Sequence, residues 1–263
     1  MPVTSTNGES MVKSLLRYPG GKTRACKYLE KYIPDDTKEL CSPFFGGGSF
    51  EFHLINKGVK IYGADIYSPL ISFWQEAMQN PVEMAEQVQN EYPCSLDRFK
   101  ELQKTLTPAE FYVVNRCSFS GLTASGGMSV GHPRFNQYAI DRLKNWKCPE
   151  GMLDITCESF ETFMIKHKNK MMYLDPPYVI KNYLYGNKGD THKDFDHDKL
   201  RDILKNVSYW LLSYNDCEQV REAYSDFTIL PIDWAYAMGN SKKSNEVVIL
   251  SKKLKEKIWH TIE

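Results

Sequence analysis

The tetrapeptide Asp175-Pro176-Pro177-Tyr178 follows directly on the apolar run Met171-Met172-Tyr173-Leu174. Proline has no N–H and cannot extend a sheet ladder, so the run reads as a strand that stops at Asp175 and opens into a stiff, extended turn. In an open α/β sheet, ligands bind outside the carboxyl ends of the strands. The turn would present a carboxylate, the Pro176 carbonyl and the Tyr178 ring together. Two acceptors suit the hydrogens of an exocyclic amino group, and an aromatic face suits stacking on a base. The competing reading is a strand-ending turn with a surface tyrosine.

A second place for chemistry is Phe44-Phe45-Gly46-Gly47-Gly48-Ser49. Glycines after a strand let a ligand approach the backbone, and Ser49 opens a helix whose first N–H groups lack internal partners. Asp65 lies 19 residues beyond Gly46, at the end of the run VKIYGAD. Nucleoside-binding folds place an acidic residue about 20 residues on, where it accepts from ribose hydroxyls. A flexible turn followed by a strand-end aspartate would look the same. The chain contains neither G-x-G-x-x-G nor G-x-x-x-x-G-K-[ST], which argues against a dinucleotide or P-loop triphosphate site. Arg17-Tyr18-Pro19-Gly20-Gly21-Lys22 forms a turn with a lysine at a helix start, where it could meet a carboxylate. Alone, it reads as a solvated turn.

Three segments imitate sites. Gly127-Met128-Ser129-Val130-Gly131 fits the G-x-S-x-G pattern, but a nucleophile elbow needs a strand before it and a helix after it. His192 and His197 flank acidic residues at a spacing that fits no metal site, and Asp196 reads as a helix N-cap. Lys242-Lys243 and Lys252-Lys253 read as solvated pairs, the first in a hairpin loop that could touch phosphate.

These residues need a scaffold. The chain has 263 residues, 42% hydrophobic and 25% charged, enough for one large domain with an insertion. Lys and Arg number 33 and so do Asp and Glu, so a nucleic-acid surface would have to gather its positive charge in one cleft. No long apolar window suggests a membrane span, and the first ten residues lack a signal peptide's apolar core. The seven cysteines show no C-x-x-C spacing and read as reduced thiols. Strands are expected at 59–65, 170–175, 209–215, 227–233 and 246–251, with a further apolar run up to Phe45. Helices are expected after Gly21, from Ser49, across 68–117 with proline breaks, and at 196–207 and 216–224. The reading is one α/β domain, residues 11–75 and 155–263, interrupted by a mainly helical, loop-rich insertion at 76–154. Residues 1–10 read as a disordered tail.

In this order, the motifs resemble the Dam-like (D12 class, α-group) DNA adenine-N6 methyltransferases. RYPGGK is similar to that family's first motif, PFFGGGSFEF to its cofactor loop and YLDPPY to its catalytic motif. Asn115-Arg116 with SFSGL resembles the start of the DNA-contacting insertion. Cys157-Glu158-Ser159-Phe160 resembles the motif that lines the cofactor adenine, and Leu212-Ser213-Tyr214-Asn215-Asp216 a later strand motif. The resemblance runs from about Leu16 to about Leu250 and is narrowed by RYPGGK at its front, since DPPY alone is shared with other amino-methyltransferases. Many family members carry Asp where this chain has Ser159.

The resemblance implies a Rossmann-like methyltransferase sheet with an inserted target-recognition domain. It implies S-adenosylmethionine as methyl donor, S-adenosylhomocysteine as product, and no metal. Cofactor contacts would be Tyr18, Lys22, Phe45, Gly46, Gly48, Ser49, Asp65, Ser159, Phe160 and Asp175. Of these, Lys22 would meet the methionine carboxylate and Asp65 the ribose. Asp175, Pro176 and Tyr178 would act on a flipped adenine, and Asn115, Arg116 and Arg134 would contact double-stranded DNA. The resemblance further implies an intracellular protein of the cytoplasm or nucleoid. It leaves open a phage or viral origin and a cognate restriction endonuclease as partner. Two alternatives stay open: an RNA or other amino-methyltransferase with the same DPPY site, and a non-catalytic DNA-binding module on this scaffold.

Overall fold

The computed structural model describes residues 11–124, 126–129, 131, 133–178, 195–232 and 246–262. Seven strands are present among them: β1 (Glu39–Ser42), β2 (Lys60–Asp65), β3 (Leu153–Cys157), β4 (Met171–Leu174), β5 (Trp210–Asn215), β6 (Thr228–Ile232) and β7 (Glu246–Leu250). The helices are α1 (Cys26–Leu29), α2 (Ser49–Ile55), α3 (Ser68–Gln79), α4 (Pro81–Asn90), α5 (Leu96–Thr105), α6 (Pro108–Cys117), α7 (Gln137–Lys144), α8 (Phe160–Lys166), α9 (His197–Leu204), α10 (Glu218–Ala223) and α11 (Lys252–Ile262).

The strands form one sheet in the order β3-β2-β1-β4-β5-β7-β6. All pairings are parallel except those of β7, which runs antiparallel to β5 and β6. Two inner strands are buried along their length: all four residues of β4 and all five of β7, Glu246 among them, are buried. β3 lies at an edge, buries only Ile155 and breaks its apolar residues with Asp154 and Thr156, so it was not expected from the sequence.

Prolines set the helix starts in the insertion. Pro81 and Pro108 occupy first-turn positions, where a missing N–H costs nothing. Thr107 and Glu110 close a capping box on α6. α7, α8 and α11 were not anticipated from the sequence, and the helix expected after Gly21 is only α1 followed by one 3₁₀ turn. The boundary expected at 75/76 falls inside α3. That helix buries Phe73 and Trp74 ahead of the boundary and Ala77 beyond it. Phe52, Trp74 and Trp146 pack with ring centroids 5.1 to 5.8 Å apart, so the sheet's core continues into the insertion. Each such ring contributes on the order of 1.5–3 kcal/mol or more by burial. Residues 1–10, His192 and Lys242-Lys243 lie outside the described residues.

Candidate active site

β1 and β4 are neighbours, yet the chain leaves them in opposite directions. β1 leads to β2 on one side and β4 to β5 on the other. This is the topological switch point, where the connecting segments separate and open a crevice. Phe44–Ser49 follows β1 and Asp175–Tyr178 follows β4, so the two strongest motifs meet at this crevice.

On the β1 side, Gly46 and Gly48 have φ of 49° and 64°, a region L side chains rarely adopt. The Tyr18 ring lies over this turn: a Cβ on Gly46 would sit 2.9 Å from Tyr18 Cε1. Gly46 N–H donates to Asp65 Oδ2 at 3.0 Å, and Tyr67 N–H to Asp65 Oδ1 at 3.0 Å. Each oxygen keeps lone-pair capacity for a further donor. Burial nonetheless pushes the Asp65 carboxyl above its usual range. Ser49 Oγ accepts from Thr23 Oγ1 at 3.1 Å. A side-chain-free turn, an acidic acceptor at the end of β2 and an aromatic cover fit an adenosine-bearing methyl donor. Phe45 differs from the expectation, because its ring is 2% exposed and packs edge-on against Phe52 and Trp74. Ser159 caps α8, where its oxygen accepts from Thr162 N–H at 3.5 Å. Phe160 lies beside it, its ring 5.5 Å from Phe44 and 5.2 Å from Phe195.

On the β4 side, Lys22 departs from the expected role. Its side chain is 5% exposed and turns toward the DPPY turn. Nζ is 2.9 Å from Asp175 Oδ1, donates to the Tyr178 hydroxyl at 2.7 Å and to the Gly20 carbonyl at 3.3 Å. An ammonium has three donors, so an incoming carboxylate would have to displace one of these contacts. Burial raises the Asp175 carboxyl, and Lys22 opposes that shift. Glu246 is the residue that sequence reasoning missed: it heads β7, is buried, and places Oε2 3.7 Å from Lys22 Nζ. A charged residue at the start of an apolar strand gave no warning of that position.

The residues expected at DNA separate into two groups. Asn115 is wholly buried and so corrects that expectation. Its Oδ1 accepts from Arg17 N–H at 3.0 Å, and its Nδ2 donates to the carbonyls of Arg17 at 2.7 Å and Gly121 at 3.0 Å. Arg116 and Arg134 are close together, Arg116 Nε donating to the Arg134 carbonyl at 2.9 Å. Arg17 and Arg142 stand in the same field. The Arg116 guanidinium is lowered first by burial and further by those three arginines. Among the described residues no strand precedes Ser129 of the G-x-S-x-G decoy, and its N–H bonds the Cys117 carbonyl at 2.8 Å. Asp196 is the N-cap of α9, accepting from Lys199 N–H at 2.8 Å.

Comparison with known proteins bears on all of this. The family model for D12 class N6 adenine-specific DNA methyltransferases matches residues 18–238. The type II methyltransferase M.CviBI of Paramecium bursaria Chlorella virus NC1A is 23% identical over 82% of this chain and 88% of its own length. The DNA adenine methylase of Haemophilus influenzae is 23% identical over 81% of this chain and 83% of its own. The structure of magnesium protoporphyrin IX methyltransferase from Synechocystis, with bound SAM, aligns over 93% of this chain and 87% of its own at 9% identity, with a TM-score of 0.40. The seven-stranded sheet, the motifs at its switch point and the extent of the family match lead to one conclusion: the chain belongs to the D12 class N6 adenine-specific DNA methyltransferase family and is a methyltransferase that uses S-adenosylmethionine.

Proposed function

We propose that the crevice between β1 and β4 is the methyl-transfer site, with the target adenine at the Asp175–Tyr178 turn and the donor along the Gly46–Gly48 turn. Tyr18, Gly46, Gly48, Ser49, Asp65, Ser159 and Phe160 would hold the donor, Asp65 by its two oxygens toward ribose hydroxyls. Bound there, S-adenosylmethionine supplies an electrophilic methyl group on a sulfonium sulfur. The chain's own groups do the rest. An adenine amino nitrogen is a poor nucleophile because its lone pair is delocalised into the ring. Asp175 and the Pro176 carbonyl accept its two hydrogens and favour a pyramidal nitrogen, while Tyr178 stacks on the flipped base. In-line placement of the two reactants can itself contribute roughly 7–11 kcal/mol. Lys22 serves this reading as the partner of Asp175 rather than as the donor's carboxylate contact.

The helical insertion would carry the duplex, with Arg116 and Arg134 at phosphates. Double-stranded DNA as substrate supports a location beside DNA, in cytoplasm or nucleoid. The type II name of its viral relative supports a cognate restriction endonuclease as partner.

The observation that carries this reading is a carboxylate at the switch point, held by two prolines beside a tyrosine and a buried lysine. Single-turnover transfer from labelled SAM to unmethylated duplex DNA tests it. Losing one preorganised electrostatic contact typically costs about 100- to 1,000-fold, and Asp175→Asn should cost at least that. A rate within about threefold of wild type, roughly 0.7 kcal/mol, would make the turn structural.

A further inference from the structure

Glu246 has no part in the reaction as described so far. It pairs with Asn215 of β5 and Ile232 of β6 and is 8% exposed. Carboxylates are rarely buried without a compensating partner. Its surroundings are the DPPY turn and the lysine behind it: Oε2 has no hydrogen-bond partner among the described residues, lies 3.7 Å from Lys22 Nζ and feels that cation as its main compensating charge. The same Nζ is 2.9 Å from Asp175 Oδ1. One buried ammonium therefore stands between two carboxylates. Among the described residues, Glu51 of α2 and the hydroxyl of Tyr173 in β4 are the other titratable groups that face them.

We propose that Glu246 is a positioning residue for methyl transfer: by sharing Lys22, it keeps the lysine from neutralising Asp175 alone, so that Asp175 remains a strong acceptor for the adenine amino group. The inference rests on the reading that Asp175 accepts those hydrogens. With Glu246 neutralised, Lys22 belongs wholly to Asp175. An unshared cation favours the ionised carboxylate and weakens it as an acceptor.

Glu246→Gln keeps the size and removes the charge; Glu246→Asp keeps the charge and draws it back by one methylene. Single-turnover transfer from SAM to unmethylated duplex DNA, followed from about pH 5 to about pH 9, reads both the plateau rate and the acid limb. The Gln variant should lose about fivefold or more in plateau rate and move the acid limb down by about half a unit or more, with the Asp variant between it and wild type. SAM affinity by calorimetry should stay within about twofold. An unmoved acid limb in both variants overturns the proposal, whether or not the plateau falls, because a purely structural defect would slow the reaction without changing its pH dependence. If the Gln variant does not fold, the Asp variant's limb decides alone. Asp175→Asn in the same assay separates the two claims. If it retains near-wild-type rates, the acceptor reading itself fails. If it is slow while both Glu246 variants behave as wild type, only the Glu246 inference fails.

Discussion

Asn115 holds the backbone of Arg17 from both sides, accepting from its N–H at 3.0 Å and donating to its carbonyl at 2.7 Å. The two residues stand 98 positions apart, one in α6 of the insertion and one in the first motif. The bond therefore couples the face proposed for DNA to the turn that carries Tyr18 and Lys22. Asn115→Ala removes three hydrogen bonds, one buried and two partly buried, at about 0.5–1.5 kcal/mol each and strands their partners, so it should destabilise the fold by roughly 2–4 kcal/mol. Urea unfolding measures this. The same variant should weaken SAM binding as well as DNA binding, which a surface contact would not do. Calorimetry showing intact stability and SAM affinity, with DNA affinity alone reduced, would return Asn115 to the DNA surface.

Arg17, Arg116, Arg134 and Arg142 form a cluster that no carboxylate among the described residues neutralises. Arg98, by contrast, is committed to Glu91 at 2.7 and 2.8 Å and to Glu101 at 3.1 Å, so it is a poor candidate for phosphate. In a chain of zero net charge, such a cluster would supply the concentrated positive field that the proposed DNA binding needs. Arg134→Ala should make the log–log salt slope of duplex binding shallower by about 0.9, one phosphate contact. Its SAM affinity should not change. A slope equal to wild type would place the duplex on another face.

Glu51, buried at the foot of α2, accepts from Ser42 Oγ at 2.7 Å. Burial pushes its carboxyl up to about 7. An acid raised in the folded state binds its proton more tightly there than in the unfolded chain. Its contribution to stability is therefore present below the usual carboxylate range and falls as pH rises toward about 7. Glu51→Gln mimics the protonated form and can still accept from Ser42. Its melting temperature should exceed that of wild type at about pH 8, and the advantage should vanish near about pH 5. Parallel melting curves across that range would expose a Glu51 that titrates normally.

The legible parts of the molecule share a physical cause. Asp175-Pro176-Pro177-Tyr178 was readable because two prolines must end a strand, and the strand before it is wholly apolar. Gly46–Gly48 and Asp65 were readable because positive φ and strand-end acids leave local marks. β3 was not, because Leu153-Asp154-Ile155-Thr156-Cys157 breaks its apolar residues with polar ones, whereas β6, the other edge strand, carries the continuous apolar pair Ile229-Leu230. Directions were harder still. The motif around Asn115 and Lys22 identified both residues, but which way each side chain points depends on partners 98 and about 153 positions away. Phe45 was placed at the cofactor by its neighbours in sequence, while its ring follows the core. Glu246 looked like the polar end of an apolar strand, and only the pairing of β7 with β5 and β6 brings it behind the DPPY turn.

Tyr178 has two separable parts, and the proposed mechanism uses them differently. Its hydroxyl accepts from Lys22 Nζ at 2.7 Å and lies in reach of Glu246, while its ring faces Tyr214 with centroids 6.2 Å apart. Stacking on a base uses the ring alone. Tyr178→Phe keeps that face but loses a hydrogen bond to a charged group, worth about 1.5–3 kcal/mol where it is made. If the bond is made equally in the ground and transition states, its loss cancels from the rate of the chemical step. The Phe variant should then transfer methyl groups within about tenfold of wild type while being measurably less stable. Tyr178→Ala loses base stacking as well, about 1–3 kcal/mol by analogy with other stacked bases. That corresponds to roughly 5- to 150-fold in affinity for the flipped base or in rate. The expected order in single-turnover transfer is wild type, then Phe, then Ala. Should Phe prove as slow as Ala, the hydroxyl and its link to Lys22 would be what the reaction uses, and stacking would lose its place in the mechanism.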